Sequence, residues 1–359
     1  MKRLIALLLA AVLCLSLLAA CGGGEKESTE DTQPTGEEAA PKDDGVLKIL
    51  MIGHSLGNDS TYMVPEVFKT EGKTPMVMGV IYHSGCRLYQ HVSYINQNAP
   101  QYAYYEFDTE QDVAWRRADA GGGYHEFIPG TGTDTYIEDG TIAQTMQFGI
   151  TRHDWDIVVL QAGVFEAANA PDSATKLNIA EDLNTVRQYV LDNDIDKATT
   201  PKFGWNMTWS CPSDAMMNDS YNKNLYLNFT DRIAMYESIA KTVQEIVLPA
   251  YDFDYMMPSG TAIENAISGK YEPEDIYRDT IHANDYGRMI VAYTWYCTLT
   301  GTDISDCNPG TMSHKVLLDN LARNTGTDLV LTDEQKAVLV EAVGNAIKTP
   351  YAITPSQLG

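Results

Sequence analysis

The sequence predicts an α/β fold of three layers, α/β/α, around a central parallel sheet of about five strands. Two observations carry this expectation. Short apolar runs bounded by glycine and polar residues alternate with longer stretches of helical periodicity, the pattern of parallel strands joined by crossover helices. The first such run, residues 46–52, also passes directly into Gly53-His54-Ser55-Leu56-Gly57. A serine held between glycines is how a chain turns sharply from a strand into a helix and exposes a hydroxyl at the strand's carboxyl end.

The elements follow in order. Residues 46–52 read as the first strand and 62–71 as the first long helix. Residues 76–82 (Met-Val-Met-Gly-Val-Ile-Tyr) are apolar throughout and read as a buried second strand. Ser84-Gly85-Cys86 then turns into a helix over 88–96. Residues 98–139 are rich in Tyr, Gly, Asp and Thr; they read as an excursion from the core, with 102–107 as one arm of a hairpin. A helix over 141–151 precedes the third strand, 156–161. Leu177, Ala180, Leu183, Val186 and Val190 give 176–191 a helical period. Residues 202–207 form the fourth strand, 231–247 an amphipathic helix and 251–257 the fifth strand. Helices over 284–299 and 333–348 close the chain.

The first residues have the features of an export signal. Lys2 and Arg3 precede an apolar stretch, residues 4–18, that is short for a membrane span. Leu18-Ala19-Ala20-Cys21 resembles the lipobox of bacterial lipoproteins, which implies a signal peptide over 1–20 and lipidation of Cys21. Residues 21–45 carry Glu, Asp, Ser, Thr, Pro and Gly with almost nothing apolar, too little to offset the entropy of ordering. They read as an acidic flexible tether leading to one domain over 46–359. The expected location is therefore extracytoplasmic, with membrane contact through the lipid on Cys21 alone. A formal charge of −24 argues against nucleic acid as a partner and against docking on anionic lipid.

Four cysteines lie outside the export signal: Cys86, Cys211, Cys297 and Cys307. They permit disulfides in an oxidising compartment, with Cys297 and Cys307 nearest in sequence. None has Cys-x-x-Cys or Cys/His spacing, so no metal or other cofactor is expected.

A serine hydroxyl needs a base within hydrogen-bond reach, and histidine is the usual one. Of the seven histidines, His282 has a carboxylate of its own in Asp279-Thr280-Ile281-His282. A spacing of three in a turn or at a helix start brings both side chains to one side. Asp279 then holds the imidazole in its working tautomer, as the acid of a triad does. The same spacing also fits a capping aspartate beside an incidental histidine.

Taken together, Ile52-Gly53-His54-Ser55, Ser84-Gly85-Cys86 with Leu88 and His91, residues 155–161, Met207-Thr208-Trp209, residues 258–262, and Asp279 to Gly287 followed by Thr300-Gly301 resemble the successive blocks of the SGNH (GDSL-like) hydrolase superfamily. The likeness is to a bacterial branch whose first block reads Gly-Asn-Ser-Phe, with His54 here in place of the asparagine. The resemblance implies a flavodoxin-like SGNH hydrolase fold. It implies Ser55 as nucleophile, His282 as general base and acid, and Asp279 as its orienting acid. It implies an oxyanion hole from the backbone N–H groups of Ser55 and Gly85 and the side-chain amide of Gln161, where the superfamily carries asparagine. It makes the expected activity that of an esterase acting on acyl groups, such as acetate, of a small-molecule or polysaccharide ester. Trp115, Trp205 and Trp209 are candidates for stacking on sugar rings, although aromatics of this kind more often belong to the core.

Two other readings stay open. A non-catalytic carbohydrate- or ligand-binding lipoprotein on the same fold fits the departures at His54 and Gln161. Gly-His-Ser-Leu-Gly is also a pentapeptide of α/β-hydrolase lipases. In those the elbow follows several strands, and acid and histidine lie on separate loops, unlike Asp279 and His282.

Overall fold

Strand β1, Leu47–Gly53, is the pivot of the sheet, paired in parallel with β2, Met76–Tyr82, on one side and with β6, Ile157–Leu160, on the other. The computed structural model describes residues 44–358 except 74, 111–114, 120, 122, 127–142, 171–176, 197–198, 214–227 and 319–324. The export signal, Cys21 and the tether to residue 43 lie outside the described residues.

Strands β3 (Ala103–Asp108), β4 (Arg116–Ala118), β5 (Tyr124–Glu126), β7 (Lys202–Asn206) and β8 (Tyr255–Met257) complete the sheet, in the order β5-β4-β3-β2-β1-β6-β7-β8. The five strands from β2 to β8 are parallel, as expected. All seven residues of β2 are buried, as befits an interior strand covered on both faces. Helices cover the two faces in separate groups. Val64–Thr70, Ser259–Gly269, Asp285–Thr300 and Asp333–Lys348 pack together on one; Leu88–Gln97, Met146–Ile150, Ile179–Asn193 and the helix running on from Arg232–Thr242 pack on the other.

The expected five parallel strands are present, and three antiparallel strands extend the sheet to eight among the described residues. The stretch 98–139, read as an excursion, supplies the other three. As expected, 102–107 supplies one arm of an antiparallel hairpin, with β4, but the hairpin is not apart from the core: β3 also pairs antiparallel with β2 from Val77↔Asp108 to Tyr82↔Ala103, and β5 extends the edge. The physical reason is burial supplied by aromatic rings. Tyr104 and Tyr105 are fully buried, and Trp115 packs edge-on against Tyr62 and Phe107 while its indole N–H donates to Tyr62 O at 3.1 Å. Inside this extension the Glu106 carboxylate, nearly inaccessible, accepts from Tyr104, Tyr124, His153 and Arg116. Burial opposes its charge, but these donors prevail and hold its pKa at about 2.

Trp205 and Trp209 are buried as well, so none of the three tryptophans offers a face to a sugar. The four cysteines are free thiols; Cys297 and Cys307 hydrogen-bond to one another without being joined.

Candidate active site

The sheet register fixes where the site stands. Gly53 at the end of β1 lies level with Tyr82 at the end of β2, and Ile52 lies level with Leu160 at the end of β6. The chain moves from β1 to β2 on one side and later reaches β6 on the other, so the strand order reverses at β1. The turns after β1, β2 and β6 therefore open together at the carboxyl edge, where open α/β sheets bind ligands.

Ser55 is the first residue of the short helix Ser55–Thr61, and His54 caps it. His54 Nδ1 accepts from Leu56 N–H at 3.4 Å while Nε2–H donates to Ala162 O at 2.9 Å. Those two bonds fix the neutral Nε2–H tautomer. Burial lowers the ring's pKa to about 4, so it stays uncharged. His54 thus orders the nucleophile turn and ties it to the turn after β6.

Asp279 and His282 arrive from the far end of the chain. Tyr277 and Ala283 bridge antiparallel, Arg278 N donates to His282 O at 2.9 Å and Asn284 N to Ile276 O at 2.8 Å. The loop is closed, with Asp279 and His282 at its tip. Asp279 Oδ1 accepts from the N–H groups of Ile281 (2.9 Å) and His282 (2.8 Å), and its two oxygens lie 3.0 and 2.9 Å from His282 Nδ1. Burial alone would raise the Asp279 pKa. Hydrogen bonds from the His282 ring and the two backbone N–H groups outweigh it and hold the carboxyl well below the usual range. An ionised Asp279 keeps the proton on Nδ1 and leaves the Nε2 lone pair free.

Ser55, Asp279 and His282 line one cavity of about 190 Å³, with Asn58, Asp59, Tyr62, Tyr82 and Ser84. The three candidates from distant stretches are brought together. Among the described residues the side-chain hydrogen bonds of His282 go to Asp279, and the contact from Ser55 to His282 is not closed here. Such contacts commonly tighten only when substrate binds.

One ion pair joins the two halves. Asp59, four residues after Ser55 and 2 % exposed, receives Arg278 Nη1 at 2.9 and 3.1 Å and the N–H of Ala283 at 3.1 Å. The same Arg278 nitrogen donates to Ala283 O at 2.6 Å. Trp209 adds a bond from its indole N–H to Ile281 O at 2.8 Å. At the end of β7, the buried Asn206 donates to Ser60 Oγ at 2.9 Å and accepts from Ser259 at 2.7 Å and Trp295 at 3.1 Å.

The turn after β2 has its own tether. Glu166, buried on the short helix Val164–Ala167, receives Leu88 N–H at 2.7 Å and Gly163 N–H at 3.3 Å. Burial pushes its pKa to about 7. Gly85 sits in this turn at φ +60°, a conformation glycine adopts without cost. Neither Gly85 nor Gln161 belongs to the cavity wall, although Ser84 does. Gln161 has both amide atoms buried without a partner, under the nucleophile turn. Its Oε1 lies 3.2 Å from where a Cβ on Gly57 would stand. Space left by the glycines draws the side chain beneath the turn rather than over it.

Asp59 follows Ser55 closely enough to suggest a brace for the first loop or a helix cap. The cap is His54; Asp59 braces a loop more than two hundred residues away. Arg278 and Asn206 were not anticipated. The available signal for Arg278 was its position immediately before Asp279.

A family model described as Domain of unknown function (DUF4886) matches residues 133–328. Three solved structures are similar. One is a DUF4886 family protein from Bacteroides uniformis ATCC 8492, 22 % identical, with 86 % of this chain and 97 % of that chain covered and a TM-score of 0.61; it shares the fold. A member of the lipolytic protein G-D-S-L family from Veillonella parvula DSM 2008 is 10 % identical, with 71 % and 100 % covered and a TM-score of 0.36. An acetylxylan esterase from Geobacillus stearothermophilus is 11 % identical, with 71 % and 94 % covered and a TM-score of 0.34. No curated protein matches the chain.

Two predictions follow from the buried polar groups. Asp59→Ala should lower stability by about 2 kcal/mol, less than the ~3–5 of a fully buried pair because Arg278 keeps a third of its side chain in water. Thermal unfolding measures this, and an unchanged melting temperature contradicts it. His91, buried beside Tyr102 with its pKa lowered by burial to about 3, takes up no proton in the native state between its ordinary pKa of 6.5 and pH 4, whereas the unfolded chain does. Its contribution to stability is therefore lost as pH falls through that window. The melting-temperature penalty of His91→Gln should shrink between pH 7 and pH 4; a constant penalty contradicts the assignment.

Proposed function

We propose that this chain, which belongs to the DUF4886 family of domains of unknown function, is a serine ester hydrolase. The observation that carries the reading is convergence. A half-buried serine at the carboxyl end of β1 and a hydrogen-bonded Asp279–His282 pair line one cavity.

Ser55 Oγ attacks the acyl carbon while His282 Nε2 takes its proton. The imidazolium, stabilised by Asp279, gives that proton to the alcohol oxygen as the ester bond breaks. Water then releases the acyl group by the same path. The backbone N–H of Ser55, and that of Gly85, whose chain neighbour Ser84 lines the cavity, are the first donors to the developing oxyanion. The cavity of about 190 Å³ suits a short acyl group such as acetate. Carbohydrate as the alcohol portion is supported by the exported, surface-tethered location that residues 18–21 suggest. In that location the lipid on Cys21 makes the membrane contact. Among the described residues no helix is long and apolar enough to cross a membrane.

A second reading, a ligand-binding protein without turnover, is favoured by the open contact between Ser55 and His282. Release of acetate from an aryl acetate and from an acetylated glycan separates the two. For the hydrolase, Ser55→Ala and His282→Ala should each reduce kcat by about 10³-fold or more. Binding of the glycan with no turnover by the wild-type protein supports the second reading. Turnover unaffected by either substitution places the chemistry elsewhere.

A further inference from the structure

We infer that Asn58 supplies the side-chain donor of the oxyanion hole. The inference rests on the ester-hydrolase reading above and names a residue that reading leaves open.

An oxyanion is stabilised by N–H donors already aimed at the place where the charge will develop. Such a donor must open on the cavity beside Ser55. Gln161 does not. Its Nε2 and Oε1 are both buried and unpartnered, packed against Gly53 and Gly57 below the turn, and it takes no part in the cavity wall. Asn58 does. It lines the cavity with Ser55 and is 4 % exposed. Its Oδ1 is buried without a partner, and among the described residues its Nδ2 has no protein acceptor.

Helix geometry brings the amide to the nucleophile. Asn58 follows Ser55 by three residues in one helix, whose first turn is closed by Asn58 N–H to His54 O at 3.1 Å. Residues three apart share a face, and a helical side chain covers the turn before its own Cα. The Asn58 amide therefore lies over the Ser55 turn. Its neighbours on that turn are committed: His54 to Leu56 and Ala162, Asp59 to Arg278 and Ala283. Ser84 also lines the cavity, but it is exposed and is not held in place by burial as Asn58 is. Of the two amide atoms only Oδ1 is among the buried ones, so Nδ2 is the atom left to meet an acceptor arriving in the cavity.

That acceptor is the tetrahedral intermediate. The bond from Ser55 Oγ to the acyl carbon forms, the carbonyl π pair moves onto oxygen, and the proton of Ser55 passes to His282. Asn58 Nδ2–H donates to the resulting oxyanion. When the pair returns, the bond to the alcohol oxygen breaks and His282 delivers the proton to it.

Steady-state kinetics on an aryl acetate and on its thionoester analogue test this, since sulfur is the weaker acceptor for a donor in the hole. Asn58→Ala should lower kcat by about 100-fold with KM nearly unchanged. Asn58→Asp keeps the shape, removes the donor and should lose at least as much. Both should lose most of the preference for ester over thionoester, and Gln161→Ala should keep it. A kcat within about threefold of wild type in both Asn58 variants overturns the assignment; so does transfer of the whole effect to Gln161→Ala. If Ser55→Ala turns over like wild type, the hydrolase reading falls and this inference with it. If Ser55→Ala is inactive while both Asn58 variants are not, the donor assignment alone falls.

Discussion

The carboxylate of Asp59 is the hinge on which the site depends. It stands on the helix that begins at Ser55 and receives three contacts from the loop that carries Asp279 and His282, two from Arg278 and one from the Ala283 N–H. Ser55 is placed by the end of β1 and His282 by a loop just ahead of a late helix. Nothing in the backbone of either element obliges them to meet. A buried charge, satisfied only when that loop is docked, makes their meeting a condition of folding. Removing one partner of such a pair leaves the other uncompensated, which is why the arrangement is held as a unit.

The same device recurs beneath the site. His54 joins the turn after β1 to the turn after β6, Glu166 joins the turn after β2 to the turn after β6, and Asn206 joins the end of β7 to the nucleophile helix and to Ser259. Each is a buried polar side chain whose partners belong to a different crossover. Apolar packing would hold these turns together less specifically, because it has no direction. Directional bonds fix the turns to within the tolerance that catalysis demands. His54 remains neutral and Glu166 is pushed toward neutral pH, so the layer under the cavity adds little net charge next to Asp279.

Much of this was legible in the sequence because it is local. Residues 46–52, 76–82 and 156–161 announce strands by apolar runs, and the glycines around Ser55 announce the turn. Three-residue spacing was enough to pair Asp279 with His282. The antiparallel edge was not legible. Its strands are short, lie among Gly, Asp and Thr, and owe their burial to Tyr104, Tyr105 and Trp115, whose partners are remote in sequence. Nor was the placement of Gln161. A residue just past a strand end can turn to either side, and the space beside Gly53 and Gly57 decides which. The ion pair between Asp59 and Arg278 is a contact across most of the domain, invisible until the sheet brings its ends together.

Activation of the Ser55 hydroxyl by the docked loop is tested most directly by labelling the folded protein with a fluorophosphonate and mapping the adduct by mass spectrometry. One adduct per chain, located on Ser55 and lost in His282→Ala, is the predicted result. An unlabelled folded protein, or an adduct on any other residue, would contradict it.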